Sequence, residues 1–411
     1  MNFGRNIITF LSVLGPSVIT TMAGNDGGGV ITYSIAGAQL GYAALVTLPF
    51  LTILYGITQE MGSRLAIVTG KGLGDLIREL FGIRTSMIVF ALIIIANFGT
   101  LLTNVAAIKV AAPMLGLPAI PLIILAVLTS FILITKTKYE KSQKIFLTGI
   151  LFYFAYVFSA VKSSPDWGES MKSLFIIHPT IFSKQSFILL MAILGTTITP
   201  WGQFFVQSYM KDKKVPIQNI GFAKIESFFG AFLSNFFTFF IMIATAATLY
   251  VHNIPLESGE QAALAIRPFA GEFAGSLFAF GLINAAIIGM IIVSLTSAYA
   301  FTEFFGFAGS LDDPYAKGKI FYSIFLINVV VAAVLVLTPF FPLFKIVLYT
   351  QSLNGLLLPI FFYFILKIIN NKELMGAHVN GTLYNIVAYS SSILIVVASA
   401  FTIGMSLLGA M

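Results

Sequence analysis

The chain has 411 residues, 58% of them hydrophobic and 9% charged, and its mean hydropathy is +0.96. A soluble domain carries about a quarter charged residues, so a soluble enzyme or binding module is excluded and a polytopic membrane protein fits. The net charge of +7 reads as basic cytoplasmic loops and not as a nucleic-acid surface, and with no cysteine there is no disulfide, thiolate metal site, iron–sulfur cluster or cysteine nucleophile.

Apolar stretches bounded by charges or Pro/Gly turns predict eleven helices, at 7–37, 41–67, 84–112, 117–136, 142–162, 185–210, 217–251, 270–305, 318–338, 343–368 and 381–410. The start, Met1 to Arg5, runs into the first segment without a small-residue cleavage site, so a retained helix is expected in place of a signal peptide. The first, sixth, seventh and eighth segments exceed the roughly 20 residues of a straight span. Tilt, a break or an extension must absorb the excess.

Loop charge sets orientation. With the N-terminus inside, sixteen cations face inward: Arg5, Arg64, Lys71, Arg78, Arg84, Lys136, Lys138, Lys141, Lys144, Lys211, Lys213, Lys214, Lys317, Lys319, Lys367 and Lys372. Six face outward: Lys109, Lys162, Lys172, Lys184, Arg267 and Lys345. Lys224 lies near the inner end of the seventh segment. The expectation is a multi-pass cell-membrane protein with a cytoplasmic N-terminus.

Two segments carry breaks. The first contains Gly24-Asn25-Asp26-Gly27-Gly28-Gly29, and the sixth contains Gly195-Thr196-Thr197-Ile198-Thr199-Pro200. Glycine runs and an internal proline break a helix. In hydrocarbon a broken backbone survives only where it is buried in protein or lines a cavity. The breaks fall in the first helix of helices 1–5 and the first of helices 6–10. An odd number of helices per half inverts the second copy. This predicts an all-α inverted-repeat transporter in one domain, 1–411, with halves 7–162 and 185–368 and an extra helix at 381–410.

Asp26 is the acid that falls deep in an apolar segment beside a break. No Lys or Arg sits at that depth to pair with it, so it reads as a ligand for a cation. Asn25 adds a side-chain oxygen, and the backbone near Met22, Ala23, Thr196 and Thr197 offers carbonyls. Thr199 adds a hydroxyl, and Gln351 and Asn354 in the tenth segment add amides. Oxygen donors favour hard cations, and one carboxylate among amides suits an ion that keeps several waters. His178, His252 and His378 fall in predicted loops, leaving no histidine relay within a helix. Glu60, Glu226, Glu272 and Glu303 are placed toward helix ends, as snorkelling or capping groups. No nucleophile–base pair, phosphate loop or zinc-protease motif is present, and no enzyme activity or cofactor is expected.

The run from Gly15-Pro16-Ser17 to Gly37-Ala38-Gln39-Leu40-Gly41-Tyr42 resembles the first helix of the NRAMP divalent-metal transporters. Gln59-Glu60-Met61 through Arg64-Leu65-Ala66-Ile67-Val68-Thr69-Gly70 resembles the end of their second. The resemblance covers essentially the whole chain. It implies the LeuT-type 5+5 fold with helices 1 and 6 discontinuous. Asp26 matches the family aspartate, and Gly29 stands at its asparagine. Thr199 and Trp201 replace a methionine and a histidine, and Gln207 replaces a second histidine. Uncharged residues around Leu101 and Asn104 stand at the family's acidic pair. Gln351 matches the glutamine of the tenth helix.

This pattern looks most like the NRAMP-related magnesium transporter clade, although that clade usually has alanine at Thr199. The resemblance implies uptake of Mg2+ and Mn2+ as substrates without proton coupling. The candidate ion-binding set is Asn25, Asp26, Gly29, Thr196, Thr197, Thr199, Gln351 and Asn354, in a protein expected to be a monomer in the lipid bilayer. The alternatives are a proton-coupled transition-metal importer and a solute symporter on the same fold.

Overall fold

The structure, a computed structural model, describes residues 9–254, 256, 271–338 and 343–407. Arg5, Arg267 and the outermost residues of the first, eighth and eleventh predicted segments lie outside them. Every regular element among the described residues is helical.

The first predicted segment is two helices, α1 (Pro16–Ala23) and α2 (Gly27–Leu40). A 3-10 turn at Gly41–Val46 leads into α3 (Thr47–Thr69). The third helix starts earlier than expected: α4 runs Leu73–Met114, bent at Gly82, whose φ of 77° a side chain would resist. Then come α5 (Ala119–Lys136), α6 (Tyr139–Ile150), and α7 (Phe154–Lys162) beyond a 3-10 turn. A short helix α8 (Trp167–Ser173) sits in what the sequence presents as a loop.

The sixth segment again splits, into α9 (Lys184–Thr197) and α10 (Pro200–Lys213). The remaining helices are α11 (Ile220–Thr245), α12 (Glu272–Phe305), α13 (Lys319–Leu337), α14 (Leu343–Ile369), α15 (Lys372–Met375) and α16 (Thr382–Leu407). Ten stretches of the described chain are long and apolar enough to cross a membrane. The count falls below eleven because α2 runs through the 3-10 turn into α3 as one stretch, Gly27–Thr69.

The most extensive helix pairings are α4 on α12, α3 on α11, and α9 on α14, and both halves of the first broken helix pack on α11. Small residues allow the close approach that packing between membrane helices requires. A Cβ on Gly195 would run into the backbone of Gln351 and Gly355, so α9 and α14 touch main chain to main chain.

The acids placed at helix ends need correction in one respect. Glu60, Glu226 and Glu303 are all buried, and so is Asp212; none reaches out to water. Glu226, Glu303 and Asp212 are held by donors from another part of the fold, and Glu60 by a partner in its own helix. Glu226 Oε1 accepts the N–H groups of Gly15, Ser17 and Val18, capping the start of α1 from α11. Glu303 accepts from Gly74 N, Ser208 Oγ and Lys211 Nζ. Asp212 accepts from Tyr299 and from Leu311 N. Glu60 pairs with Arg64 at 2.9 Å. Capping is thus the use of Glu226 and Glu303, exercised between elements: a buried carboxylate is tolerated where donors surround it.

Candidate metal centre

The two breaks meet in the middle of the bundle. α1 and α9 end there with their last carbonyls, and α2 and α10 begin there with their first N–H groups. Each second half has its own N-cap. Asp26 Oδ1 accepts from Gly29 N at 2.7 Å, and Thr199 Oγ1 accepts from Gly202 N at 3.1 Å. The carboxylate and the hydroxyl read from the sequence are therefore equivalent caps in the two halves.

Asp26 is 1% exposed. Its second oxygen, Oδ2, accepts from Asn104 Nδ2 at 2.8 Å, while Asn104 Oδ1 accepts from Gly27 N at 2.9 Å. Asn104 of α4 thus brackets the start of α2 and fixes the carboxylate plane. Behind this pair, a Cβ on Gly289 of α12 would come within 2.5 Å of both Asp26 Cβ and Asn104 Oδ1. Gly289→Ala is expected to push the pair apart and weaken metal binding by at least about tenfold, since misplaced ligands forfeit preorganisation. Binding titration beside a thermal melt checks this; unchanged affinity in a folded variant would contradict it.

The other predicted residues divide into two groups. One group faces the carboxylate region. A Cβ on Gly29 would lie 3.1 Å from Thr196 Oγ1 and 3.4 Å from Asp26 Oδ1, which places Thr196 over the start of α2. A Cβ on Gly28 would meet Thr103 and, at 2.5 Å, Gln351 Nε2, which brings α14 to the same spot. Asn354 Nδ2 donates to Gln351 Oε1 at 3.0 Å and to Thr100 Oγ1 at 2.9 Å. Thr196 Oγ1 and Asn354 Oδ1 are buried oxygens without a hydrogen-bond partner among the described residues. Gln351 Oε1 accepts from Asn354 Nδ2, and the buried Gln351 Nε2 has no partner among the described residues.

The second group serves the break itself. Asn25 Nδ2 donates to Ser234 O and Asn25 Oδ1 accepts from Thr238 Oγ1, both at 2.8 Å, so this side chain is tied to α11. Its carbonyl accepts from Tyr153. Thr197 Oγ1 shares a 2.8 Å hydrogen bond with Tyr33 and donates to Ile193 O, joining the end of α9 to α2.

Sequence reasoning singled out neither Asn104 as a partner of Asp26 nor two nearby amides. Gln59 and Gln203 are fully buried with both amide atoms unpartnered among the described residues. Gln59 Nε2 would lie 3.8 Å from a Cβ on Gly202, next to the Thr199 cap. A signal existed. Thr199, Gln203 and Gln207 recur every four residues along α10, and Asn97, Thr100 and Asn104 form a polar line in apolar α4. Among the described residues no group of three or more His, Cys, Asp or Glu side chains is placed to hold a metal. The centre thus has one carboxylate, hydroxyls, amides and helix-end carbonyls, a donor set that fits a hard cation.

The profile of the Nramp family (Natural resistance-associated macrophage protein-like) matches residues 17–404. The chain is 23% identical over 415 residues to a divalent metal cation transporter MntH of Levilactobacillus brevis, covering 96% of this chain and 89% of that protein. It is 25% identical over 420 residues to the MntH of Staphylococcus aureus, covering 96% and 91%. Among solved structures it resembles the Eremococcus coleocola manganese transporter in complex with an aromatic bis-isothiourea compound, with TM-score 0.75, 18% identity, and 98% and 88% of the two chains covered. It also resembles MhsT in complex with L-phenylalanine, with TM-score 0.62, 14% identity, and 98% of both chains covered. The fold is the expected LeuT-type inverted repeat with the two discontinuous helices facing each other.

Proposed function

The chain belongs to the Nramp family of multi-pass membrane proteins, and from that premise we propose that it takes up hard divalent cations, Mg2+ and Mn2+, by alternating access and without proton coupling. Its relatives are named as divalent metal cation transporters, which supports metal as the substrate class and a transporter in place of an enzyme. The observation that carries the finer reading is the setting of Asp26. It is a buried carboxylate at the meeting of two broken helices, with amides and hydroxyls around it.

In this reading Asp26 supplies the charge that holds the ion. Thr196 Oγ1, Asn354 Oδ1, Thr199 Oγ1 and the Gln351 amide supply neutral oxygens, and the carbonyl ends of α1 and α9 add favourable dipole. Gly29 serves by its N–H and Asn104 by orienting the carboxylate. Asn25 and Thr197 hold the unwound backbone in place. The halves 7–162 and 185–368 rock about this point, with 381–410 outside the repeat. The excess of basic residues on one side supports a cytoplasmic N-terminus. We read the protein as a monomer.

Proton coupling needs a titratable acceptor near the ion and a route away from it. The positions where the resemblance places histidines and acids carry Trp201, Gln207, Leu101 and Asn104. The other buried acids are committed to caps and ion pairs within the fold. The dication then moves down its own gradient, helped by the membrane potential at about 2.3 kcal/mol per charge per 100 mV. In proteoliposomes containing a pH dye, an imposed Mg2+ or Mn2+ gradient is expected to drive metal entry without acidifying the lumen. Acidification that follows the metal and vanishes in Asp26→Ala would contradict uncoupled transport.

A further inference from the structure

We propose that the membrane groove between α5, α6 and α12 is a binding site for one anionic phospholipid, with its phosphate on Lys141 and Lys144 and an acyl chain along the groove. The cavity has a volume of about 480 Å3. Its walls are apolar, formed by Leu133 of α5, Ile145 of α6, Phe152 of the 3-10 turn, and Ile287, Ile288 and Ile291 of α12. Asn284, which also lines it, donates from Nδ2 to Gly149 O at 3.0 Å.

The mouth of the groove has a different character. Lys141 and Lys144 both line it, on the first two turns of α6, and both are exposed. Lys136 at the end of α5 and Lys138 in the short α5–α6 connection flank them, both exposed. Neither Lys141 nor Lys144 makes an ion pair with a described residue. Two acids are close in the chain or fold. Glu140 is exposed in the same first turn, and Asp312 accepts from the backbone N–H of Tyr139. Four lysines against two acids leave the mouth positive.

Placing these features along α6 gives the ligand its shape. Lys144 and Phe152 are eight residues apart, about 12 Å along a helix axis. A charged mouth at the membrane edge and an apolar channel running about 12 Å inward match a lipid phosphate joined to its chain. Basic pockets between membrane helices recognise anionic head groups in this way. A soluble anion would use the lysines and leave the groove unused. A zwitterionic lipid would use the groove but gain less from the lysines, because its own cation offsets the phosphate charge.

Native mass spectrometry of the full chain in mild detergent distinguishes these cases. The probes are phosphatidylglycerol, phosphatidylcholine with the same chains, and soluble glycerophosphoglycerol. The wild type is expected to retain one phosphatidylglycerol over phosphatidylcholine by on the order of tenfold to thirtyfold, from the attraction of two lysines, and to retain no glycerophosphoglycerol. The double substitution Lys141→Gln/Lys144→Gln, at exposed positions, is expected to bind both lipids equally. Thr148→Trp, also exposed on the groove wall, is expected to lose both lipids while keeping the lysines. Equal retention of the two lipids by the wild type would overturn the proposal, as would a preference that survives the double substitution. Glycerophosphoglycerol bound as tightly as the lipid, or full lipid retention by Thr148→Trp, would overturn the role of the groove.

Discussion

Asp26→Asn is expected to abolish metal binding and transport while leaving the protein folded. Asparagine caps a helix about as well as aspartate, so the bond from Gly29 N to the side chain, 2.7 Å in the wild type, has a replacement acceptor. The substitution removes the charge, and it also turns an amide N–H toward Asn104 Nδ2, so the local bond to Asn104 is lost with it. A dication leaving water pays a large desolvation cost, and neutral amides and hydroxyls alone do not offset it. Asp26→Ala is the harsher variant. It also strands Gly29 N, at about 1–3 kcal/mol for a buried donor left without a partner, while Asn104 Nδ2 keeps its bond to Thr100 O. Calorimetric titration of Mg2+ and uptake into proteoliposomes both check this. Wild-type uptake by Asp26→Asn would remove Asp26 from the centre of the account.

Thr199→Met is expected to raise affinity for Cd2+ relative to Mg2+ by at least about tenfold. Thioether sulfur rewards soft ions, whereas a hydroxyl offers only oxygen. Thr199 stands at the N-cap of α10, accepting from Gly202 N at 3.1 Å, so its replacement also costs a cap worth about 1 kcal/mol. Thr199→Ser keeps the cap and the oxygen, and serves as the control that leaves selectivity unchanged. A Cd2+ to Mg2+ ratio unaffected by Thr199→Met would show that the ion does not reach this cap.

Much of the centre was legible because breaks in membrane helices are written in the composition. The glycine run after Asp26 and the proline after Thr199 mark the starts of α2 and α10 within a residue of where the helices begin. Length and hydropathy were enough for the spans. What the sequence did not disclose depends on side-chain direction and on contacts between distant segments. Asn25 adjoins Asp26 yet points to α11, because consecutive residues at a break diverge. Asn104 lies 78 residues from Asp26, and only the crossing of α4 over α2 brings them together. Glu226 and Glu303 lie toward helix ends and are nonetheless buried, because the groups that hold them, backbone N–H groups and for Glu303 also Ser208 and Lys211, belong to elements far along the chain.

The cap arrangement also explains why the two halves need different residues at equivalent positions. A hydroxyl at both would leave the cation without a countercharge. Asp26 and Thr199 do the same backbone work, and only one of them carries charge.

We expect a hard, oxygen-only ion site organised by Asp26. Calorimetric titration of Mg2+, Mn2+ and Cd2+ in parallel into the purified wild-type protein tests it most directly. Similar affinities for Mg2+ and Mn2+ are expected, with no advantage for Cd2+. Cadmium binding much tighter than magnesium would contradict it.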